Sequence, residues 1–338
     1  MAPRTVALCG AGMISGAHLL AANRIGRSVV AVASRTTANA QERAALVGAR
    51  VVGYSDLPAG ADIVVVSTPP ARHLEDARHA LEHGAAVLLE KPLTCTLTEA
   101  DELCALRPGP RLLYAENLAF APIVREFVRR TVTMGPIRHF ELRTIQSAPT
   151  WGDFLTPEWG GGVLFDLGVH PLAIAVLVAR ATGNGDVERV SARLSGAETD
   201  TYAEVDLEFA SGLHARVVAS WEGPEAGIWD AQVSSSTSVV RLELRPHLTL
   251  EVDGDDVGFR GSDWKVPLID DFGYAEQMSS LDTGLDSGRA SNMDVEFGRW
   301  ILEIVCASYV SAAHDAEWVP VPSGCDRSRT PWQLWRDR

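Results

Sequence analysis

A chain of 338 residues is too long for one small core and suits two domains of ordinary size. Its composition, 46% hydrophobic and 22% charged, is that of a globular protein. With 30 basic against 44 acidic residues the formal charge is −14, which argues against nucleic acid and against an anionic membrane surface as partners.

Residues 1–4 lead straight into a short apolar strand, Thr5–Cys9, so no signal peptide is expected. Gly10, Gly12, Met13 and Ile14 follow, with Ser15 where a dinucleotide fingerprint carries its third glycine, and then a helix, Gly16–Ala22. Gly10 permits a tight turn, and Gly12 lets backbone approach a pyrophosphate over the helix N-terminus. The second strand, Ser28–Ala33, ends in Ser34, Arg35 and Thr36. An NAD site usually offers an acidic residue to the ribose 2′-hydroxyl about 20 residues past the glycines. Here a cation and two hydroxyls stand instead, which suits a 2′-phosphate and favours NADP over NAD.

Helix Ala38–Leu46 and strand Arg50–Gly53 continue the alternation. The strand Asp62–Ser67 is β-branched and apolar on both faces, as in a covered parallel sheet. After Thr68, Pro69 and His73, a helix shows Leu74, Ala77 and Leu81 on one face and stops at Gly84. A second buried strand, Ala85–Leu89, closes in Glu90, Lys91 and Pro92. Charges at the carboxyl end of such a strand lie where open α/β sheets bind ligands. Helix Leu97–Leu106, with a box-like cap from Thr98 to Asp101, and strand Arg111–Tyr114 complete a Rossmann-like, doubly wound α/β domain over residues 1–118.

Residues 119–338 read differently. After helix Pro122–Val132 come short alternating segments: Ile137–Ser147, Val187–Ser195, Tyr202–Phe209, Leu213–Ser220, Ala231–Ser235, Val239–Arg245 and Leu248–Val252. Tight turns between them predict an α+β domain with a large, mostly antiparallel, open-faced sheet. Its surplus of apolar positions predicts a homodimer or homotetramer built on that open face. Between the first two strands stand Asp166 and His170, which share a face if helical. Pro171 is tolerable only in a first helical turn or at a kink, so an irregularity is expected there. The late helix Asp294–Ala313 is a candidate to pack back on the first domain. Five scattered cysteines without CxxC spacing suggest free thiols in a reducing compartment, and no His, Asp or Glu group has metal-ligand spacing. The longest apolar run, Leu172–Ala179, is far short of the ~20 residues of a membrane helix, so a cytoplasmic location is expected.

Two stretches carry a resemblance. The Thr68-Pro69 turn, His73, the alanine-rich helix and the strand closed by Glu90-Lys91-Pro92 form the first; Gly161-Gly162-x-x-x-Asp166-x-Gly168-x-His170 forms the second. Together they resemble the glucose–fructose oxidoreductase / inositol dehydrogenase / MocA (Gfo/Idh/MocA) family, and the likeness runs over nearly the whole chain. The resemblance implies that the Thr-Pro turn lies beside the nicotinamide ribose and that Lys91 works at the active site. It implies His170 as acid–base, Asp166 as a substrate contact or orienting group, and the open sheet as the place where subunits meet. Glu90 and His73 join the cofactor-binding set on the same ground. The implied activity is hydride transfer between NAD(P) and a secondary alcohol or ketone of a sugar, polyol or sugar derivative. A redox-neutral NAD(P)-using sugar lyase or glycosidase, and a non-catalytic dinucleotide-dependent sensor, remain as alternatives.

Overall fold

The computed structural model describes residues 3–258 and 267–336. Its described chain divides into two units, one of residues 3–94, 98–121 and 267–299, the other of 95–97, 122–258 and 300–336.

The first unit alternates strand and helix: β1 (Thr5–Cys9), α1 (Met13–Arg24), β2 (Ser28–Ala33), α2 (Thr37–Ala45), β3 (Arg50–Val52), β4 (Ile63–Val66), α3 (His73–Glu82), β5 (Ala86–Glu90), α4 (Leu97–Ala105) and β6 (Leu112–Ala115). All pairs in the sheet are parallel, in the order β3-β2-β1-β4-β5-β6. Val6–Leu8, Ile63–Val66 and Val87–Leu89 are buried, which is why these strands read as continuous apolar runs rather than alternating ones. The chain winds outward from β1 to β3, then returns to lay β4 on the other side of β1. In open α/β sheets such a reversal marks the carboxyl ends of the two strands as the place where ligands bind. Helix α1 starts at Met13, directly off the glycine turn, rather than at Gly16. Helix α4 starts at Leu97, so Thr98 lies inside its first turn and is not its cap.

The segment from α8 (Pro267–Asp271) through α9 (Tyr274–Ser287) folds with the first unit, although the sequence reading assigned it to the second domain. Ile269, Tyr274 and Ala275 pack on Ala17 and Ala21 of α1. Gly273 has φ +80°, and a Cβ there would sit 2.3 Å from the Asn117 carbonyl oxygen, so only glycine fits that approach. Asp282 fastens α9 to the amino end of the sheet by taking Arg4, at 2.8 Å, and Arg27.

The second unit contains α5 (Pro122–Thr131), β7 (His139–Ile145), α6 (Val163–Asp166), α7 (Val169–Ala181), β8 (Val187–Ser195), β9 (Tyr202–Phe209), β10 (His214–Ser220), β11 (Ile228–Ser234), β12 (Val239–Arg245), β13 (Thr249–Val252) and β14 (Asp255–Asp256). The sheet runs β14-β13-β12-β11-β7-β10-β9-β8-β15, where β15 is Val319–Pro320. Every pair is antiparallel except β7 with β10, where Arg216 pairs Glu141 and Ser220 pairs Ile145 in parallel. One face is apolar and buried. Strand β9 shows the rule: Ala203, Val205, Leu207 and Phe209 are buried, while Tyr202, Glu204, Asp206 and Glu208 are half-buried on the other face.

That other face is charged, which corrects the expectation of an apolar open surface. Register sets Asp206, Arg216, Glu141, Gln232, Arg241 and Glu251 side by side across β9, β10, β7, β11, β12 and β13. Opposite signs meet in Arg216–Asp206 at 2.8 Å, Arg143–Asp230 at 2.9 Å and Arg189–Glu208 at 2.6 Å. The apolar surplus is used on the covered face, against the helices.

Helix α10 (Val295–Ala313) begins in the first unit and continues into the second, and α11 (Pro331–Arg336) ends the described chain. The tail tryptophans pack within their own unit: the Trp332 indole N–H donates to the Glu198 carbonyl at 2.7 Å, and the Trp335 ring meets Tyr309 edge-on. All five cysteines are free thiols. Among the described residues no single helix is long and apolar enough to cross a membrane, and α7 is apolar because it is buried.

Candidate functional site

The glycine turn after β1 is shaped by close approach. Gly10 has φ +110°, and a Cβ on it would lie 2.6 Å from the Ser67 carbonyl oxygen at the end of β4. Gly12 precedes α1 with no atom within 4 Å of where its Cβ would stand, and no side chain caps that helix. Met13 is exposed and Ile14 half-buried just beyond it. Uncapped N–H groups beside an open glycine form a cradle for a phosphate, so these residues fit a dinucleotide. Ser15 is buried, and its hydroxyl donates back to the Gly12 carbonyl at 2.6 Å, which closes the turn.

At the end of β2, Arg35 and Thr36 are exposed and Ser34 half-buried. The Ser34 hydroxyl accepts from the Thr36 N–H at 3.3 Å. The Arg35 N–H donates to the Tyr54 hydroxyl at 3.0 Å, and the Arg72 guanidinium lies 4.8 Å over the Tyr54 ring. Tyr54 and Arg72, which the sequence reading passed over, therefore border the same turn.

Thr68 and Pro69 follow β4, with Thr68 buried and donating from its hydroxyl to Asp76 at 2.7 Å. His73 is buried, with one ring nitrogen 2.9 Å from the Thr68 carbonyl and the other 3.0 Å from that of Pro92. It ties the turn after β4 to the turn after β5. Burial pushes its imidazole below the ordinary histidine value, against the pull of these carbonyls and of Glu90. The sequence reading grouped His73 with the cofactor-binding residues; its ring is spent on the two backbone turns.

Glu90 ends β5 inside the protein. Burial works to raise its carboxyl, but the hydrogen bond and charge of His18, with the charge and N–H of Lys91, outweigh it and hold it below the usual range. The Glu90 Oε1 is 2.7 Å from the His18 ring, and Oε2 accepts the Lys91 N–H at 3.0 Å. Lys91 itself is half-buried. Only two of the 30 basic residues are lysine, Lys91 and Lys265. Arginine stays charged in proteins whereas an amine can titrate, so a lysine kept in an arginine-rich chain was a usable signal. His18 was not legible, because its partner lies 72 residues away.

In the second unit, α6 and α7 are separate helices, and the stretch 157–166 meets α7 at a bend of 46°. Asp166 closes the first helix, while His170 and Pro171 lie in the first turn of the second, so Asp166 and His170 do not share one continuous helical face. Pro171 is tolerated there because a first-turn residue needs no donor. Both Asp166 and His170 are buried, and the His170 ring lies 5.8 Å from Trp229, tilted by 33°.

A buried aspartate outside either motif holds this stretch. Asp200 accepts from the N–H groups of Gly162 at 3.0 Å and Leu164 at 2.9 Å, and from the Tyr309 hydroxyl at 2.6 Å. Burial raises its carboxyl, while those donors pull the other way. A Cβ on Gly162 would lie 2.2 Å from the Asp200 carbonyl oxygen, which explains the glycine. Asp200 thus fixes the start of the helix that ends in Asp166.

A cavity of about 660 Å³ opens among Arg4, Asp62, Gly84 and Ala86, at the amino ends of the parallel strands. Ligands of such sheets bind at the carboxyl ends, so that cavity is not the candidate site. Among the described residues no group of three or more His, Cys, Asp or Glu is arranged to hold a metal ion.

Residues 4–110 match the family model described as an oxidoreductase family with an NAD-binding Rossmann fold, and residues 124–255 match the GFO/IDH/MocA C-terminal domain. The chain is 38% identical over 155 residues to dTDP-3,4-didehydro-2,6-dideoxy-alpha-D-glucose 3-reductase of Saccharopolyspora spinosa, over 44% of this chain and 47% of that one. It thus aligns with about half the length of that relative. It is 28% identical over 232 residues to scyllo-inositol 2-dehydrogenase (NADP(+)) IolU of Bacillus subtilis (strain 168), over 64% and 65% of the two chains. The crystal structure of GenD2 from gentamicin A biosynthesis, in complex with NAD, superposes with a TM-score of 0.82 at 23% identity, over 95% of this chain and 97% of that one. With both halves of the chain matched by models of one family, it belongs to the Gfo/Idh/MocA oxidoreductases.

Proposed function

We propose that the protein is an NAD(P)-dependent oxidoreductase, NADP preferred, that interconverts a secondary alcohol and a ketone on a sugar, polyol or sugar derivative. The observation that carries this reading is Lys91, an amine at the carboxyl end of β5 in the sheet that also bears the glycine cradle. Names of relatives favour a sugar or inositol ring as substrate. When bound, nicotinamide supplies the hydride acceptor or donor. Gly10, Gly12, Met13 and Ile14 hold the pyrophosphate, Ser34, Arg35 and Thr36 the 2′-phosphate, and Thr68 and Pro69 the ribose beside the nicotinamide.

His170 takes the hydroxyl proton in oxidation and returns it in reduction. Lys91 donates a hydrogen bond to the reacting oxygen. Asp166 orients the imidazole or a neighbouring hydroxyl. The protein works as a homo-oligomer through the charged face of its large sheet, where rows of alternating sign suit a second copy of themselves. The test is absorbance of the reduced nicotinamide against a panel of sugars, inositols and nucleotide sugars. Net oxidation or reduction is expected. Product without net cofactor change would make it a redox-neutral lyase or glycosidase, and tight binding without turnover a sensor.

A further inference from the structure

Arg245 stands apart from the other arginines of the large sheet. Arg143, Arg189, Arg193, Arg216 and Arg241 each reach a carboxylate or an amide on the neighbouring strand. Arg245, the last residue of β12, is half-buried, and among the described residues its guanidinium meets no acid and no carbonyl. It lies 5.2 Å over the indole of Trp229 instead.

Strict alternation would turn Arg245 the other way. Along β12, Val240, Leu242 and Leu244 are buried on the covered face, so Arg245 belongs by count on the charged one. The register changes that. Asp230 pairs with Glu243 but Trp229 pairs with Arg245, so Leu244 is an extra residue, a bulge, and Arg245 comes round to the side of its partner. Trp229 shares that side with Ala231 and with its neighbour on β7, Thr144, both buried. Gly227, at φ +76°, lies against the same corner: a Cβ there would stand 3.2 Å from Arg245 Cδ and 3.6 Å from Trp229 Cδ1. The His170 ring reaches the same indole at 5.8 Å. One indole thus has the proposed general base and a cation beside it, all within the second unit.

A half-buried cation without a counter-charge is unfavourable, and the ring offsets only part of that. Contact through its flat face leaves the guanidinium's in-plane N–H donors without a partner, in a fork that fits a carboxylate or a phosphate. We propose that Arg245 is a specificity-determining residue that binds an oxyanion carried by the substrate, so that the sugar is a uronate, a sugar phosphate or a nucleotide sugar rather than a neutral polyol. The inference rests on the function proposed above, because His170 sets where the reacting carbon lies.

The test is calorimetric titration of the protein with reduced nicotinamide dinucleotide bound. That cofactor fills the dinucleotide site against nucleotide probes and offers a secondary alcohol no hydride acceptor. The probes are glucuronate, glucose 6-phosphate and UDP-glucose, with glucose and myo-inositol as neutral counterparts. At least one charged probe should bind more tightly than the neutral ones, and its identity tells carboxylate, monophosphate and diphosphate apart. Arg245→Gln should weaken that probe about tenfold or more relative to glucose. Arg245→Lys, charged but without the fork, should fall between. If circular dichroism shows that Arg245→Gln does not fold, Arg245→Met takes its place, with an apolar stem against Trp229. No preference for any charged probe, or equal losses for charged and neutral probes in a folded uncharged variant, overturns the proposal. Binding that depends on Arg245 without turnover in the absorbance assay would defeat the dehydrogenase reading and leave the proposal standing. Turnover of neutral sugars alone would do the reverse.

Discussion

His170, the proposed general base, is buried in the first turn of α7 with Trp229 beside it. A positioned general base contributes about 100- to 10,000-fold, so His170→Ala should lower kcat by roughly that factor while NADP still binds. Near-native turnover with the true substrate would move the base elsewhere. Arg35 tests the cofactor at the same scale. Its side chain is exposed and its backbone is held by Tyr54, so truncation should leave the turn in place. Arg35→Ala should weaken NADP about tenfold or more, by loss of a charge-assisted phosphate contact, and NAD hardly at all. Equal losses, or an initial preference for NAD, would show that the end of β2 binds no 2′-phosphate.

Among the elements, α9 is fastened by packing on α1 and by the ion pairs of Asp282. Burial works to raise Asp282, but Arg27 and Arg4 overcome it and hold its value below the ordinary one. A depressed carboxylate stabilises the folded state above its unfolded value, near 4, and that contribution is lost as pH falls through the folded value. Asp282→Asn should therefore cost about 2 kcal/mol at pH 7, and its denaturation midpoint should fall less steeply below pH 4 than that of the native protein. Parallel midpoint curves down to pH 2 would mean that the ion pairs add nothing. The elements were legible where the signal is local. β4 and β5 announced themselves by apolar residues on both faces, and Pro171 marked the break before α7. The start of α1 was missed because Met13 and Ile14 sit among glycines. The charges on the open sheet stood in the sequence at alternate positions, but their pairing depends on register between strands far apart in the chain. The same non-locality hid His18 and Asp200: each is an ordinary polar residue until its distant partner is known.

For the whole molecule, the association proposed through the charged face should be sensitive to salt. Light scattering at micromolar concentration should give a dimer or tetramer at low ionic strength and a smaller species near 1 M, where the screening length falls to about 3 Å. A monomer under both conditions would remove the open face as an interface. The first unit carries a different consequence, one of timing. Its helix α1 is covered by Ile269, Tyr274 and Ala275, which lie far downstream in the chain. A ribosome adding about 5–20 residues per second takes on the order of ten seconds or more to travel from residue 121 to residue 299. Throughout that interval the nascent Rossmann half lacks its last two helices, and the Ala17 and Ala21 stripe is left uncovered. The amino-terminal half is thus a late folder by construction, and a gene fragment ending at Ala121 should yield aggregated protein rather than a free cofactor-binding module.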